Sequence, residues 1–313
     1  MRVDGPVSSA DERPVPGGAK ASRLTLALVL TGALLAAGGA VVVRWRGQAS
    51  AVRPPGPWAS TLVALSAALG NRPDELSRGW AALERLADEA RRRHGTHEEP
   101  WADSLVHTIF EDAHIEREIH ENEPRFYRLP DVLAHRRGNC VGLVGLYLAL
   151  AERVGLPVDA VRVPGHVFVR TRETPPRNLE MLRRGEAMSH AWYQQRYGPW
   201  PTGDDGYDRP LALAELEALY WYDAGGYHLA AGRLSEAASS FQRASQRAPQ
   251  FAEAAASWTS ARQLVAGSAE AAGFPTEGRR GGPGAQSLSP SFFDPHAPNL
   301  APSGALPQQE HRP

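Results

Sequence analysis

The chain has 313 residues, of which 42% are hydrophobic and 22% charged, and its formal net charge at pH 7 is −1. This balance is typical of a globular protein, and it argues against nucleic acid as a partner and against a strong field for acidic substrates. Cys140 is the only cysteine, so no internal disulfide can form and cysteine usage leaves the redox compartment open.

The amino-terminal region divides into three segments. Residues 1–23 are rich in Gly, Pro and Ser, and we expect them to be disordered. Residues 24–43 carry no charge and are long enough to cross a bilayer core of about 30 Å. An uncleaved anchor is favoured over a cleaved signal peptide, because this apolar run exceeds a typical signal core and arginines follow it. A linker at residues 44–57 leads to the folded part.

Helical periodicity runs over residues 58–69, 74–93 and 99–110, so three helices are expected before the central region. Histidines and carboxylates follow in a charged segment whose spacing matches no metal-binding pattern. We interpret that segment as a solvated surface rather than a metal site, and the sequence predicts neither a metal nor a cofactor. Its histidines are His107, His114 and His120.

A helix is predicted to begin at Cys140, which opens an apolar run that ends before Gly155. The unpaired N–H groups and the dipole of a helix N-terminus favour an anion, so the pKa of the Cys140 thiol should fall in this position. Only the thiolate is a competent nucleophile. The N–H of Cys140 is a natural oxyanion donor, and Asn139 and Gly138 are candidates for support.

Two strands are predicted around the turn Pro164–Gly165, the second beginning at His166. A short return strand would then bring Asn178 or Glu180 beside this histidine. A buried cysteine alone is more often a small hydrophobic residue, and a lone histidine is more often structural. Together, however, a thiol, an imidazole and an orienting carboxylate or amide form a nucleophile–base–orienter arrangement.

The order of the motifs R-R-G-N-C-V-G-L, P-G-H-V-F-V-R and N-L-E resembles the transglutaminase-like superfamily, specifically its bacterial SirB-type branch. The resemblance covers roughly residues 104–198 and implies a papain-like α+β core with a Cys-His-Asp type triad. On this resemblance Cys140 is the nucleophile and His166 the base. Glu180 is the first candidate for the acidic third residue, and Asn178 is its rival.

Residues 186–200 are aromatic and polar. They either line or cover the site or form a surface helix buried on the side of Trp192 and Tyr197.

From Ala218 the chain matches one tetratricopeptide repeat, a helix–turn–helix unit. Helices are expected near residues 213–231, 234–247 and 250–265, docked on the catalytic domain. From Gly267 onward the composition predicts a disordered tail. The residues at the repeat's signature offsets are Trp221, Gly225, Gly232, Ala237, Phe241, Ala244 and Pro249.

The sequence therefore predicts an α+β protein with a buried cysteine helix against a small antiparallel sheet. The expected order is a transmembrane helix at 24–43, a transglutaminase-like domain at 58–200, a helical repeat at 211–266 and a disordered tail at 267–313. The expected location is a bacterial inner membrane, single-pass, with the catalytic domain outside the cytoplasm.

Two functions follow from this organisation. The first is cysteine-dependent acyl transfer or hydrolysis of peptide or amide bonds through a thioester, with a peptide or protein as substrate. The alternative is a catalytically inactive scaffold that binds a protein partner through the site and the helical repeat. The exposure and the pKa of the Cys140 thiol discriminate between them.

Overall fold

The structure is a computed structural model that describes residues 56–119, 121–198, 200 and 206–271. The segments predicted at 1–23 and 24–43, nearly all of the 44–57 linker and residues 272–313 lie outside this part. Within it, no helix has both the length and the apolar character required to cross a membrane.

Four described helices lead into the centre of the fold. The sequence pattern predicted the first three within a few residues, and the short fourth helix was not predicted. The helix expected over 99–110 begins later and runs on as a turn of π-helix, Thr108–Asp112. The elements up to the central helix are α1 (Pro57–Ala68), α2 (Pro73–His97), α3 (Trp101–His107), β1 (Glu116–Arg117), α4 (Leu129–His135), β2 (Arg137–Gly138) and α5 (Cys140–Val154).

Helix α2 shows why these segments are helical. Pro73 occupies the first helical position, where the missing N–H costs nothing, and Glu75 accepts the N–H of Arg72 at 2.8 Å. Leu76 and Leu83 recur on one face, which is buried against α4 and α5. The opposite face is charged and solvated.

Helix α5 is the centre of the fold. It packs against the sheet on one side and against α1 to α4 on the other. Almost every residue from Cys140 to Ala151 is fully buried, as expected for a helix that is apolar on all faces. Gly155 ends it in the left-handed conformation, with φ 80°.

The far end of α5 holds the beginning of α1. Glu152 accepts the N–H of Trp58 at 3.1 Å and the N–H of Ala59 at 2.9 Å. A carboxylate in this position satisfies two of the four N–H groups that a helix N-terminus leaves unpaired and complements its dipole. The entry of the described chain is thereby attached to α5.

Strands β1 and β2 pair in parallel as a separate two-stranded sheet, and four further strands form an antiparallel sheet in the order β3-β4-β5-β6. The hairpin predicted around Pro164–Gly165 is confirmed: Val163 pairs with His166, and Gly165 has φ 67°, which glycine adopts readily. The strands are β3 (Val158–Val163), β4 (His166–Thr171), β5 (Asn178–Glu180) and β6 (Glu186–Met188).

Four further helices are described after the sheet. The last continues past Gly267, where the sequence predicted disorder to begin. These helices are α6 (His190–Tyr197), α7 (Leu213–Ala230), α8 (Leu234–Arg247) and α9 (Ala252–Ala271).

Helices α7, α8 and α9, here called the helical unit, pack on one another and on the central part of the fold. Within the unit, a Cβ on Gly225 would overlap the ring of Phe241, so these helices approach closely. The hydroxyl of the buried Tyr220 lies where a Cβ on Gly145 of α5 would be. On the other side, Arg162 of β3 pairs with Glu253 at 3.3 Å.

Close approach at Gly142 gives a first prediction. A Cβ there would overlap the carbonyl oxygen of Phe126 and lie 2.9 Å from the Cα of Tyr127. We expect Gly142→Ala to lower the free energy of unfolding by about 1–3 kcal/mol, because backbone must move. Urea denaturation measures it.

The matched control is Gly95→Ala in α2, where no atom lies within 4 Å of the new Cβ. That variant should keep or slightly raise stability, because alanine is the better helix former by about 1 kcal/mol. Equal urea midpoints and slopes for Gly142→Ala and Gly95→Ala would show that the contact at Gly142 does not constrain α5.

Candidate active site

Cys140 lies in the first turn of α5, and its side chain is 2% exposed. Asn139 caps the helix, because its Oδ1 accepts the N–H of Gly142 at 3.0 Å. The backbone N–H groups of Val141 and Val167 face the sulfur. Because Val167 follows His166 directly, the thiol lies beside the beginning of the histidine strand.

His166 and Glu180 form a buried pair. His166 Nε2 lies 2.7 Å from Glu180 Oε2, and the side chains are 2% and 1% exposed. Glu180 Oε1 accepts the N–H of Leu182 at 2.8 Å, which fixes the carboxylate. An ionised carboxylate only accepts hydrogen bonds, so we assign the ring hydrogen to Nε2. In the neutral imidazole this leaves Nδ1 as the acceptor.

Asn178, the rival for the third role, lies elsewhere. Its Oδ1 accepts a hydrogen bond from Arg170 Nε at 2.7 Å, and the strand register places it opposite Arg170. Arg170 also pairs with Asp208 at 2.7 Å. The structure therefore brings Glu180, and not Asn178, to the imidazole of His166.

Both polar atoms of the Asn139 side chain are hydrogen-bonded within the protein. Its Nδ2 donates to Asn122 Oδ1 and to Asp223 Oδ2, each at 3.1 Å, while its Oδ1 caps α5. The side chain of Asn139, a candidate for oxyanion support, therefore has both amide hydrogens already bonded within the protein.

Gly138 supports the site only through its backbone. Its carbonyl accepts the N–H of Glu118 at 2.7 Å, and a Cβ would lie 3.1 Å from Leu143. A larger residue would therefore press against the first turns of α5.

Asp223 is an unexpected neighbour of this helix terminus. It comes from α7, its side chain is 1% exposed, and Asn122 Nδ2 donates to its backbone carbonyl at 3.2 Å. Burial raises the pKa of the Asp223 carboxyl to about 7, while the hydrogen bonds from Asn139 and Asn122 act in the opposite direction. Its Oδ1 has no hydrogen-bond partner among the described residues.

Helix α6 covers the histidine. The Tyr197 ring stacks on the His166 imidazole, with 4.5 Å between centroids and 5° between planes. Tyr193, 1% exposed, stacks on Phe168 at 4.0 Å. Of the two interpretations of residues 186–200, the covering one describes this arrangement, and the main buried residue is Tyr193 rather than Trp192.

The thiol of Cys140 does not have the low pKa expected from its place in the helix. Burial raises this pKa well above the usual value, and the charges of Asp223 and Glu180 raise it further. The N–H groups of Val167 and Val141 lower it, as the helix-terminus argument requires. The expectation was wrong in direction because it assumed an exposed thiol, whereas loss of hydration dominates here.

No group of three or more His, Cys, Asp or Glu is arranged to hold a metal ion within the described ranges. His107 Nδ1 lies 2.7 Å from Glu99 Oε2, and Arg93 Nε lies 2.8 Å from the same carboxylate's Oε1. The charged region therefore forms side-chain pairs. His120 lies outside the described residues.

Three residues of this region were not predicted from the sequence: Asp223, Asn122 and Tyr193. A single acidic residue within the apolar and aromatic run of α7 was a usable signal for Asp223, since such a carboxyl must be buried. Nothing local distinguishes Asn122 or Tyr193, because their roles depend on contacts with distant segments.

The raised pKa of Asp223 predicts a pH dependence of stability. The folded carboxyl has a pKa of about 7 against an ordinary 3.8, so between these values only the folded state retains the proton. The contribution of this carboxyl to stability is therefore fully present below pH 3.8, is lost as the pH rises from 3.8 through about 7, and does not change above that. We expect this loss, roughly 2–4 kcal/mol, to disappear in Asp223→Asn.

Urea denaturation at a series of pH values measures the effect. The control Asp88→Asn removes a carboxyl whose side chain is 63% exposed, and it should keep the wild-type pH dependence. Identical pH dependence in wild type and Asp223→Asn would contradict the assignment.

The burial of Cys140 and the position of α6 over His166 predict slow labelling of the thiol. In the native protein Cys140 should react slowly with iodoacetamide, and Tyr197→Ala should accelerate labelling roughly tenfold by making local opening easier. Gln195→Ala, on the exposed side of α6, should leave the rate unchanged. Mass spectrometry of timed samples measures both, and equal rates for the two variants would show that α6 does not limit access.

Comparison with protein families gives one match, in which residues 79–199 fit the model described as Transglutaminase-like superfamily. No curated protein and no solved structure matches the chain. The matched residues extend from within α2 to just beyond α6 and include Cys140, His166 and Glu180. The chain therefore carries a transglutaminase-like superfamily domain at residues 79–199.

Proposed function

We propose that this protein is a cysteine-dependent acyl-transfer enzyme that acts on peptide or amide bonds through a thioester. One observation carries the proposal: a buried His166–Glu180 pair, 2.7 Å apart, beside the helix terminus that bears the only cysteine. Two such polar groups are rarely buried together without a structural or chemical need. Here they supply a base and its orienter next to a nucleophile.

The first half-reaction transfers an acyl group to sulfur. Nε2 of His166 is held by Glu180, so Nδ1 takes the proton of the Cys140 thiol as Sγ attacks the carbonyl carbon. The carbonyl electron pair moves to oxygen, where the Cys140 N–H, a first-turn group without an intrahelical acceptor, can donate. The proton on Nδ1 passes to the leaving nitrogen as the C–N bond breaks.

The second half-reaction releases the acyl group. Water or an amine attacks the thioester carbon and gives its proton to Nδ1, and the C–S bond breaks as that proton returns to sulfur. Water makes the protein a peptidase or amidase, and an amine makes it a transglutaminase. Since Cys140 is 2% exposed, a substrate reaches it only when α6 moves off His166.

The finer assignments belong to the same proposal. We propose that the chain is a SirB-type member of the superfamily, that residues 24–43 anchor it in a membrane with the domain outside the cytoplasm, and that α7 and α8 are one tetratricopeptide repeat. The repeat is supported by the signature residues and by the close contact of Gly225 with Phe241. The anchor is supported by the uncharged run alone.

A second candidate is a catalytically inactive scaffold that binds a protein partner through the site and the helical unit. The observation that favours it is the buried Cys140, whose thiol pKa is raised well above its usual value. On this alternative the cysteine is a packing residue, and α6 stays closed.

Turnover by the full-length protein decides between them. On peptide amides, acid-quenched mass spectrometry should show an acyl group on Cys140. Cys140→Ala and His166→Ala should lower the rate by about 10³-fold or more, and Glu180→Gln by roughly 10–10²-fold or more, because the imidazole loses its orienter. Asn178→Ala is the matched control and should stay close to wild type.

Hydrolysis or transamidation that persists in Cys140→Ala would exclude the thioester mechanism. If the wild type forms no acyl adduct, and a bound protein partner is retained equally by wild type and Cys140→Ala, the scaffold is the correct function.

A further inference from the structure

Three polar side chains from distant parts of the chain meet at the N-terminus of α5. Asn139 Nδ2 donates to Asn122 Oδ1 and to Asp223 Oδ2 at 3.1 Å each, and Asn122 Nδ2 donates to the Asp223 carbonyl at 3.2 Å. Asn139 and Asp223 are each 1% exposed. The proposed mechanism uses neither Asn122 nor Asp223.

We propose that Asp223 is a positioning residue of the active site, which fixes the Asn139 cap and thereby the place of Cys140. The helical unit α7–α9 is then a component of the site rather than a separate binding module. This inference rests on the proposed function, in which Cys140 is the nucleophile.

The hydrogen bonds of Asn139 require one orientation of its side-chain amide. The cap requires Oδ1 to face the N–H of Gly142. An amide rotated by half a turn would place its oxygen against the oxygens of Asn122 and Asp223, and its hydrogens against the N–H of Gly142. A carboxylate accepts only, so Asp223 selects the orientation that caps the helix.

Asp223 lies on the face of α7 that packs against α5. Tyr220 and Asp223 lie three residues apart on α7, so they share a face of the helix. The Tyr220 hydroxyl lies against Gly145 and is 3.4 Å from the carbonyl of Val141. This face of α7 therefore runs along the first turns of α5, and packing of the helical unit determines where the carboxyl lies.

The free energy lost by burying the Asp223 carboxyl also bears on its role. A buried acid with an unpaired Oδ1 lowers stability, and an apolar residue of similar volume often packs at least as well. Retaining an acid here is accounted for by the orientation that it imposes on Asn139.

The charge of Asp223 also acts on the thiol. Its negative charge raises the pKa of Cys140, as does that of Glu180. Helix α1 also packs on α7 and has no titratable side chain. On α8, the guanidinium of Arg243 lies over the ring of Trp221, and Arg247 forms an ion pair with Glu217. Among the described residues, four tyrosines also interact electrostatically with Asp223 or Cys140: Tyr127, Tyr197, Tyr220 and Tyr222.

Two substitutions separate the hydrogen bond from the charge. Asp223→Asn keeps an acceptor for Asn139 and removes the charge. Asp223→Leu removes both and keeps a side chain that is branched at the same carbon. Glu217→Gln, which removes a charge from the same helix where Glu217 pairs with Arg247 at 3.1 Å, is the control.

In the full-length protein, the rate of Cys140 alkylation by iodoacetamide is measured against pH for each variant, together with kcat and KM on a peptide amide. Asp223→Asn should shift the alkylation profile to lower pH by about one unit and retain turnover. Asp223→Leu should lower kcat by about tenfold or more with KM nearly unchanged, because the nucleophile is misplaced. Glu217→Gln should match wild type in both.

Circular dichroism gives the folded fraction to which every rate is normalised. If both Asp223 variants then show the wild-type alkylation profile and kcat, Asp223 is only structural and the proposal is overturned. If wild type has no turnover while Asp223→Asn still shifts the alkylation profile, the proposed function fails and the coupling of Asp223 to Cys140 stands.

Discussion

The need to satisfy the buried N-terminus of α5 governs much of this structure. A helix leaves its first N–H groups unpaired, and here they lie inside the protein, where water is not at hand. Asn139 bonds one of them, but its own amide hydrogens must then be satisfied in turn. Asn122 and Asp223 do this, and Asp223 comes from a helix after the matched family domain. One capping requirement thus joins the cysteine helix, the loop before it and the helical unit.

Exclusion of water has two opposite effects at the site. It strengthens the contact between His166 and Glu180, because a charge-assisted hydrogen bond is worth more at low dielectric. It also keeps the Cys140 thiol neutral by raising its pKa. On the proposed function, the structure holds the base and its orienter in place while burial keeps the nucleophile protonated. On the same proposal, movement of α6 away from His166 would admit water and substrate together, so the thiol would become reactive when a substrate enters.

Local signals were enough to predict the elements that carry the site. Gly155 marks the end of α5, and Pro164–Gly165 marks the turn before His166, so the helix and hairpin follow from a few adjacent residues. The choice between Glu180 and Asn178 was not predictable in this way. Both lie on the same face of one strand, and only the register of β5 against β4 decides which of them meets the imidazole.

The pKa of the thiol and the role of Asp223 were beyond the sequence for a related reason. A helix terminus is a local feature and lowers a thiol pKa, whereas the burial that outweighs it comes from the packing of segments that are distant in the chain. Asp223 is 84 residues from Asn139 in the chain, so their contact depends on how the helical unit packs. The predicted anchor at 24–43 lies outside the described residues and stays a prediction.

The contact of Glu152 with the first turn of α1 has a geometric consequence. Helix α5 has 15 residues, so its ends are about 22 Å apart. The thiol lies at one end, and the chain enters the described part at the other, where Glu152 holds Trp58 and Ala59. A tether attached before Gly56 would therefore pull on the end of α5 opposite the thiol. On the proposed anchor and activity, the domain would be held from that end, which leaves the end with the thiol free to meet a large substrate.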